Sequence, residues 1–321
     1  MIEFVSIFIL SCIVLAKSGQ IVVKSLSNLA KILKWREFVV ATILMALASS
    51  SPEIFVGITA SLSDSPQLAV GNILGSNIIL LTLVLGVGAI FTKKLELGEK
   101  TFKRGKFFAC VFTILPLLLI FDGFFSRSDG VILIIGFLFY LKEVLREQRR
   151  FSKIFNKIAE SPFEKFKLFF KELAIFVFSV CLLILSAEGI VFSSEKIALT
   201  SGLSLIIIGV LGIALGTSLP EIAFGIRAIK TGRKEMMLGG TLGSVIVNSG
   251  LALGIVGIIS PFRIFHFSLY FNAILFSFLA SLFFLIFAST KNQITRREGF
   301  FLLFIYLIFV IFEVLLEIAR F

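Results

Sequence analysis

The sequence predicts an all-α polytopic membrane protein of ten transmembrane helices, arranged as two inverted five-helix repeats with broken helices 2 and 7. Three observations predict it. The first is composition: of 321 residues, 58% are hydrophobic, and mean hydropathy is +1.05. That excludes an ordinary soluble domain, and the length suits about ten spans of roughly 20 residues each. The second is an internal repeat. Residues 46–90 laid against 214–258 without a gap agree at 18 of 45 positions, among apolar and polar residues alike. The third is the placement of basic residues. With the N-terminus outside, 27 of the 31 Lys and Arg fall in segments on the inner side, as the positive-inside rule requires.

Apolar runs place spans near 2–17, 37–60, 67–91, 107–122, 129–145, 170–192, 201–226, 236–260, 268–289 and 299–318. The first run opens Met1-Ile2-Glu3, without a basic leader or an obvious cleavage site, so it reads as a span rather than a signal peptide. The inner segments are then 17–36, 92–106, 141–172, 227–235 and 291–297. Loop 61–66 has no positive charge, whereas its counterpart 229–234 has Lys230, Arg233 and Lys234. Equivalent loops therefore lie on opposite sides, which an odd number of spans per half demands. Inverted repeats of this kind are a transporter signature, with the substrate site near the bilayer midplane.

The chain divides into a first five-helix half, 1–145, with its α-repeat at about 37–91; a linker, 146–169; and a second half, 170–321, with its α-repeat at about 201–260. The linker is basic, interleaved with Phe151, Phe155, Phe163 and Phe166. It reads as a cytoplasmic segment lying on anionic lipid. The expected location is the cell membrane, multi-pass, with both termini outside and the central loop cytoplasmic.

Other function classes find little footing. The net charge of +11 sits in short loops between apolar runs, which is not a nucleic-acid-binding surface. Cys12, Cys110 and Cys181 lie in apolar segments and read as packing residues. His266, the single histidine, builds no zinc site alone. Asp64, Asp122 and Asp129 fall in loops or span ends, which argues against an intramembrane aspartyl protease. The glycine-rich stretches Gly71–Asn77 and Gly239–Ser244 lack the preceding strand and following Lys of a phosphate loop and instead suit close helix contact. No enzyme activity, resident cofactor or obligate protein partner is expected.

The chemistry concentrates in Ser49-Ser50-Ser51-Pro52-Glu53 and its twin Thr217-Ser218-Leu219-Pro220-Glu221. A proline inside a span removes one backbone donor and frees the carbonyl four residues back. A glutamate near the bilayer centre costs about 2.5–3.5 kcal/mol or more and is by default functional. Glu53 and Glu221 are related by the repeat, and inversion brings them face to face. Two carboxylates balance one divalent ion, two monovalent ions or two protons, which is the equality of charge an exchange mechanism needs. Calcium takes six to eight hard oxygens. Ser49, Ser50, Thr217 and Ser218 offer hydroxyls and, through the helix breaks, free carbonyls. Ser76 and Ser244 offer hydroxyls from the next span of each repeat, and Asn248 lies one turn from Ser244 on the same face. Glu188 is unpaired, and Glu313 and Glu317 read as interfacial.

At these residues the chain resembles the cation/calcium exchanger superfamily, in particular the prokaryotic sodium/calcium exchangers. The family's G-T-S-x-P-E stretch is complete at Gly216–Glu221 and looser at Ala48–Glu53; its G-N-x-x-G-S-N stretch is complete at Gly71–Asn77 and degraded at Gly239–Val245. The resemblance implies cation ligands at Glu53, Glu221, Ser76 and Ser244, at Ser49, Ser50, Thr217 and Ser218, and at the carbonyls of Ala46 and Ala214. It implies a secondary antiporter exporting Ca2+ in exchange for Na+ or H+, with another cation (Mg2+, Mn2+ or K+), carried by an antiporter or a channel on the same scaffold, as the alternative. Two departures stand out: Leu80 where sodium-coupled members tend to have Asn, and Asn248 where they tend to have Asp.

Overall fold

The computed structural model describes residues 1–32, 45–92, 94–96, 101–148, 162–232, 234–263, 267–289 and 293–319. The start of the expected second span, most of the linker and His266 lie outside the described residues.

In chain order the helices are α1 (Ile2–Ile32), α2 (Met45–Ser49), α3 (Ser51–Leu62), α4 (Pro66–Ile78), α5 (Leu85–Thr92), α6 (Thr101–Leu119), α7 (Arg127–Gln148), α8 (Pro162–Ser201), α9 (Leu205–Ile207), α10 (Ala214–Lys230), α11 (Lys234–Ile246), α12 (Leu253–Ile259), α13 (Phe267–Ser289) and α14 (Arg296–Ile318). Three π-helical segments join them without a break: π1 (Ile79–Val84) between α4 and α5, π2 (Ile208–Ile213) between α9 and α10, and π3 (Val247–Ala252) between α11 and α12. Four short strands form two antiparallel ribbons. Strand β1 (Lys94–Glu96) pairs with β4 (Gln293–Thr295), and β2 (Phe124–Phe125) pairs with β3 (Phe262–Arg263).

The molecule is a helical membrane protein. Among the described residues, seven helices are long and apolar enough to cross a bilayer. They differ in how deeply they sit. The α4–π1–α5 helix is 83% buried over its apolar window and α14 only 28%. The inner helices carry the polar residues and the outer ones present Phe, Leu and Ile outward, as a lipid solvent demands. Helix α1 packs against α8 more extensively than any other pair of described elements.

Several expectations change. Helix α1 does not end near residue 17 but continues to Ile32. Lys17 and Lys24 are seven apart and share one exposed face, while Ser18, Val22, Ser25 and Leu29 are buried on the other. The first basic segment is thus partly an amphipathic extension of the helix. Helix α8 likewise spans 40 residues, well beyond 170–192 at both ends.

The expected breaks are smaller than predicted. In the first repeat the interruption is confined to Ser50, whose N–H still donates to the Ala46 carbonyl (3.1 Å) and whose carbonyl still accepts from Ile54 (3.1 Å). In the second repeat helix 7 is not broken at all: α10 runs through Pro220. A proline deletes a single hydrogen bond, and a helix held by neighbours on both sides keeps its geometry across that gap. The Ala48 carbonyl, which Pro52 leaves without its helical partner, accepts instead from Ser51 Oγ at 2.7 Å.

Glu313 and Glu317, expected at the interface, are buried within the protein. They are 5% and 6% exposed. Glu313 accepts from Asn272 of α13. Glu317 accepts from the Ser204 N–H (2.5 Å) and hydroxyl (3.1 Å), so it caps the start of α9 from across the bundle. Glu188 lies on an exposed face of α8. Of the cysteines, Cys12 and Cys110 are buried and Cys181 is exposed; all three are free thiols.

Candidate cation site

The site lies where α2, α3 and α10 meet α4 and α11. Small residues allow that meeting. A Cβ on Gly75 of α4 would collide with the Val210 carbonyl and lie 2.6 Å from the Ala214 Cβ, and a Cβ on Gly243 of α11 would lie 2.9 Å from the Ala46 Cβ. Each residue after these glycines, Ser76 and Ser244, is thereby pressed against the Pro-Glu stretch of the other repeat.

Two hydroxyl pairs result. Ser76 Oγ lies 3.3 Å from Thr217 Oγ1, and Ser244 Oγ lies 2.9 Å from Ser49 Oγ. The pairs are equivalent under the repeat, since Ser49 corresponds to Thr217 and Ser76 to Ser244. Ser76 Oγ also donates toward Glu53 Oε1 at 3.4 Å. Thr217 is within hydrogen-bonding reach of the same carboxylate. Glu53 and Glu221 are 1% and 6% exposed and near enough to interact electrostatically.

What distinguishes this place from ordinary polar packing is what stays unpaired. Buried polar atoms are nearly always hydrogen-bonded. Here Glu53 Oε2, both Glu221 oxygens, Asn248 Oδ1 and the hydroxyls of Ser50 and Ser218 have no hydrogen-bond partner. Burying such oxygens unsatisfied is expensive, most of all for carboxylates. The unpaired oxygens are hard acceptors, the ligand type of an alkali or alkaline-earth cation. Among the described residues no three or more His, Cys, Asp or Glu converge. A cation here would therefore rest on two carboxylates and neutral oxygens.

The carbonyls of Ala46 and Ala214 are less free than a broken helix implies. Ala46 O accepts from the Ser50 N–H and from Ser49 Oγ (both 3.1 Å), and Ala214 O lies 3.3 Å from Thr217 Oγ1. Leu80 is 1% exposed and contributes no oxygen from π1, whereas Asn248 supplies an amide from the equivalent place in π3.

Three residues that sequence reasoning passed over belong to the cluster. Asn72 Oδ1 accepts from Thr217 Oγ1 at 2.9 Å. Asn77 Nδ2 donates to Ser249 Oγ at 2.7 Å, and its Oδ1 accepts a long contact from Asn248 Nδ2 at 3.5 Å. The available signal was two asparagines on a helix otherwise of small and apolar residues; it was masked because their repeat equivalents, Gly240 and Val245, carry no polar group.

This geometry agrees with three comparisons. The sodium/calcium exchanger MaX1 of Methanosarcina acetivorans is 28% identical over 95% of this chain and 97% of its own length. The inner membrane protein YrbG of Escherichia coli is 27% identical over 70% of each chain. A solved structure of the sodium-calcium exchanger NCX_Mj, soaked with Na+ and Sr2+, superposes with a TM-score of 0.65 at 28% identity, covering 96% of this chain and 98% of that one. The model of the sodium/calcium exchanger protein family matches residues 4–143 and again 171–315. With nearly the whole chain matched in two stretches and a buried acceptor cluster where those stretches meet, this chain belongs to the sodium/calcium exchanger protein family.

Proposed function

We propose that the chain is a secondary-active cation antiporter that exports Ca2+ in exchange for Na+ or H+, binding calcium and its counter-ion in turn at Glu53 and Glu221. The carrying observation is the pair of buried glutamates with three of their four oxygens unpartnered. Ser49, Ser50, Ser76, Thr217, Ser218, Ser244 and Asn248, with the carbonyls of Ala46 and Ala214, complete the ligand set. Because two carboxylates balance two positive charges, calcium and the counter-ions compete for one neutralising pair. That competition couples them.

The scaffold is read as ten spans in two inverted halves, 1–145 and 170–321, joined by a cytoplasmic linker at 146–169, in the cell membrane with both termini outside. Beyond the seven apolar helices, the remaining spans are α2–α3, α6 and α7. Several features support the inverted repeat. π1 and π3 are related by the same offset of 168 as the glutamates. So are Ser18 and Ser25 of α1 and Ser186 and Ser193 of α8, each of which hydrogen-bonds back to a carbonyl of its own helix. The two ribbons, β1–β4 and β2–β3, have the reciprocal pairing that a two-fold relation produces.

Calcium-45 uptake into proteoliposomes tests the reading, under an outward sodium gradient and separately an outward proton gradient, with Glu53→Gln plus Glu221→Gln as the control. Gradient-driven uptake that the double variant loses is the expected result, and the gradient that drives it names the counter-ion. No uptake under either gradient removes calcium as the substrate. Uptake without any counter-ion dependence would instead mark a channel.

A further inference from the structure

We infer that Asn72 is a positioning residue that turns the Thr217 hydroxyl proton away from the cation, leaving the oxygen's lone pairs to serve as ligand. The inference rests on the reading of Thr217 as a ligand and adds the residue that makes it one. A hydroxyl has one proton and two lone pairs. It coordinates a cation well only if another acceptor takes that proton. Thr217 Oγ1 lies 2.9 Å from Asn72 Oδ1, 3.3 Å from Ser76 Oγ and 3.3 Å from Ala214 O, with the Glu53 carboxylate also within reach. The shortest of these contacts is to the Asn72 carbonyl oxygen, which takes the proton and leaves the Glu53 carboxylate free for the cation. Ser76 keeps its own proton for Glu53 Oε1, 3.4 Å away, and so takes no lone pair of Thr217.

Asn72 is held where it must be. It is 0% exposed, and neighbouring Gly71 puts its Cα 3.1 Å from the place a Gly209 Cβ would occupy. Backbone contact on both sides fixes the amide against α9 and π2. Its Nδ2 has no hydrogen-bond partner, so the side chain is not kept for its donor. The other half of the site solves the same problem differently. The equivalent of Asn72 is Gly240, and the equivalent hydroxyl, Ser49, hands its proton to the Ala46 carbonyl at 3.1 Å. One half therefore uses a backbone acceptor and the other a side chain, so the Thr217 half can be detuned by substitution.

The test is a double-variant cycle read as the calcium concentration at half-maximal uptake. Asn72→Ala is expected to raise it about tenfold or more, the usual effect of removing a group that orients a metal ligand, with little change in maximal rate. Thr217→Val is expected to raise it as well. The double variant is expected to be no worse than Thr217→Val alone, because Asn72 then has no hydroxyl to orient. Asn72→Asp, which keeps an acceptor at that position, restores most of the loss. Asn72→Gly, which copies Gly240, replaces Asn72→Ala if that variant does not elute as a folded species. Effects that multiply in the double variant, or unchanged half-saturation in Asn72→Ala, overturn the inference while Thr217 remains a ligand. Unchanged half-saturation in Thr217→Val removes Thr217 from the ligand set and the inference with it. Glu221→Gln, assayed alongside, reports on the cation site independently of either residue.

Discussion

Gly71 and Gly239 occupy equivalent places in the repeat, yet alanine should act on them with opposite sign. A Cβ on Gly71 would lie 2.7 Å from the Ile206 carbonyl oxygen, 3.0 Å from the Val210 nitrogen and 3.1 Å from the Gly209 Cα. All three are backbone atoms and cannot swing aside as a side chain would. Reaching an ordinary contact of 3.4 Å requires the helices to part by 0.7 Å at that point. Overpacking of this kind costs about 1–3 kcal/mol. It is only partly offset by the 0.4–1 kcal/mol, roughly, that Gly→Ala contributes by restricting the unfolded chain. A Cβ on Gly239 would meet nothing within 4 Å. There the favourable contribution stands alone, about 0.5–1 kcal/mol in a helix interior. Thermal unfolding of the detergent-solubilised variants, followed by size exclusion, reads the result. Gly71→Ala should lower the midpoint and Gly239→Ala should raise it or leave it unchanged. A lower midpoint for Gly239→Ala, or an unchanged one for Gly71→Ala, would refute the packing argument.

Two further outcomes follow from single side chains. Ser51→Ala should lower the unfolding midpoint by an amount corresponding to about 1–3 kcal/mol, since it strips the buried Ala48 carbonyl of the hydroxyl donor that replaces the one Pro52 lacks. Asn248→Asp adds a third carboxylate to the site at an atom that is already an unpartnered acceptor. If Na+ proves to be the counter-ion, each cycle should then carry about one more sodium, visible as a shift in the reversal potential of calcium flux; an unchanged potential would detach Asn248 from the ion path.

Much of this architecture was legible in the sequence because a duplication writes its signal twice. Glu53 and Glu221 could be paired, and Ser76 with Ser244, before any coordinates. The hydroxyl pairs Ser76–Thr217 and Ser49–Ser244 are related by that symmetry, but which hydroxyls meet is visible only in the structure. What stayed hidden were features with no twin. Asn72 faces Gly240, Asn77 faces Val245, and Ser51 faces Leu219, so the repeat comparison discarded each of them. The helix ends were misread for a different reason. Lysines at a spacing of seven look like a loop in a hydropathy window but lie on one face of a helix. The continuity of α10 through Pro220 was hidden because a proline reports a lost hydrogen bond and not whether neighbouring helices hold the turn in place. The burial of Glu313 and Glu317 was hidden because their partners, Asn272 and Ser204, are far away in the chain.

The two ribbons have a mechanical consequence. β1–β4 clips the end of α5 to the start of α14, and β2–β3 clips the corner between α6 and α7 to the end of α12. Each clip is a pair of backbone ladders that must tear if the elements it joins separate. Among the described residues neither ladder includes α1 or α8. The chassis around the glutamates is thus bolted at two corners, while the α1–α8 pair is fastened to it by side-chain packing, the Ser65–Glu195 hydrogen bond and chain connections. A load applied across the molecule would deform the softest joint first. The seam between the α1–α8 pair and the chassis holds no such ladder among the described residues.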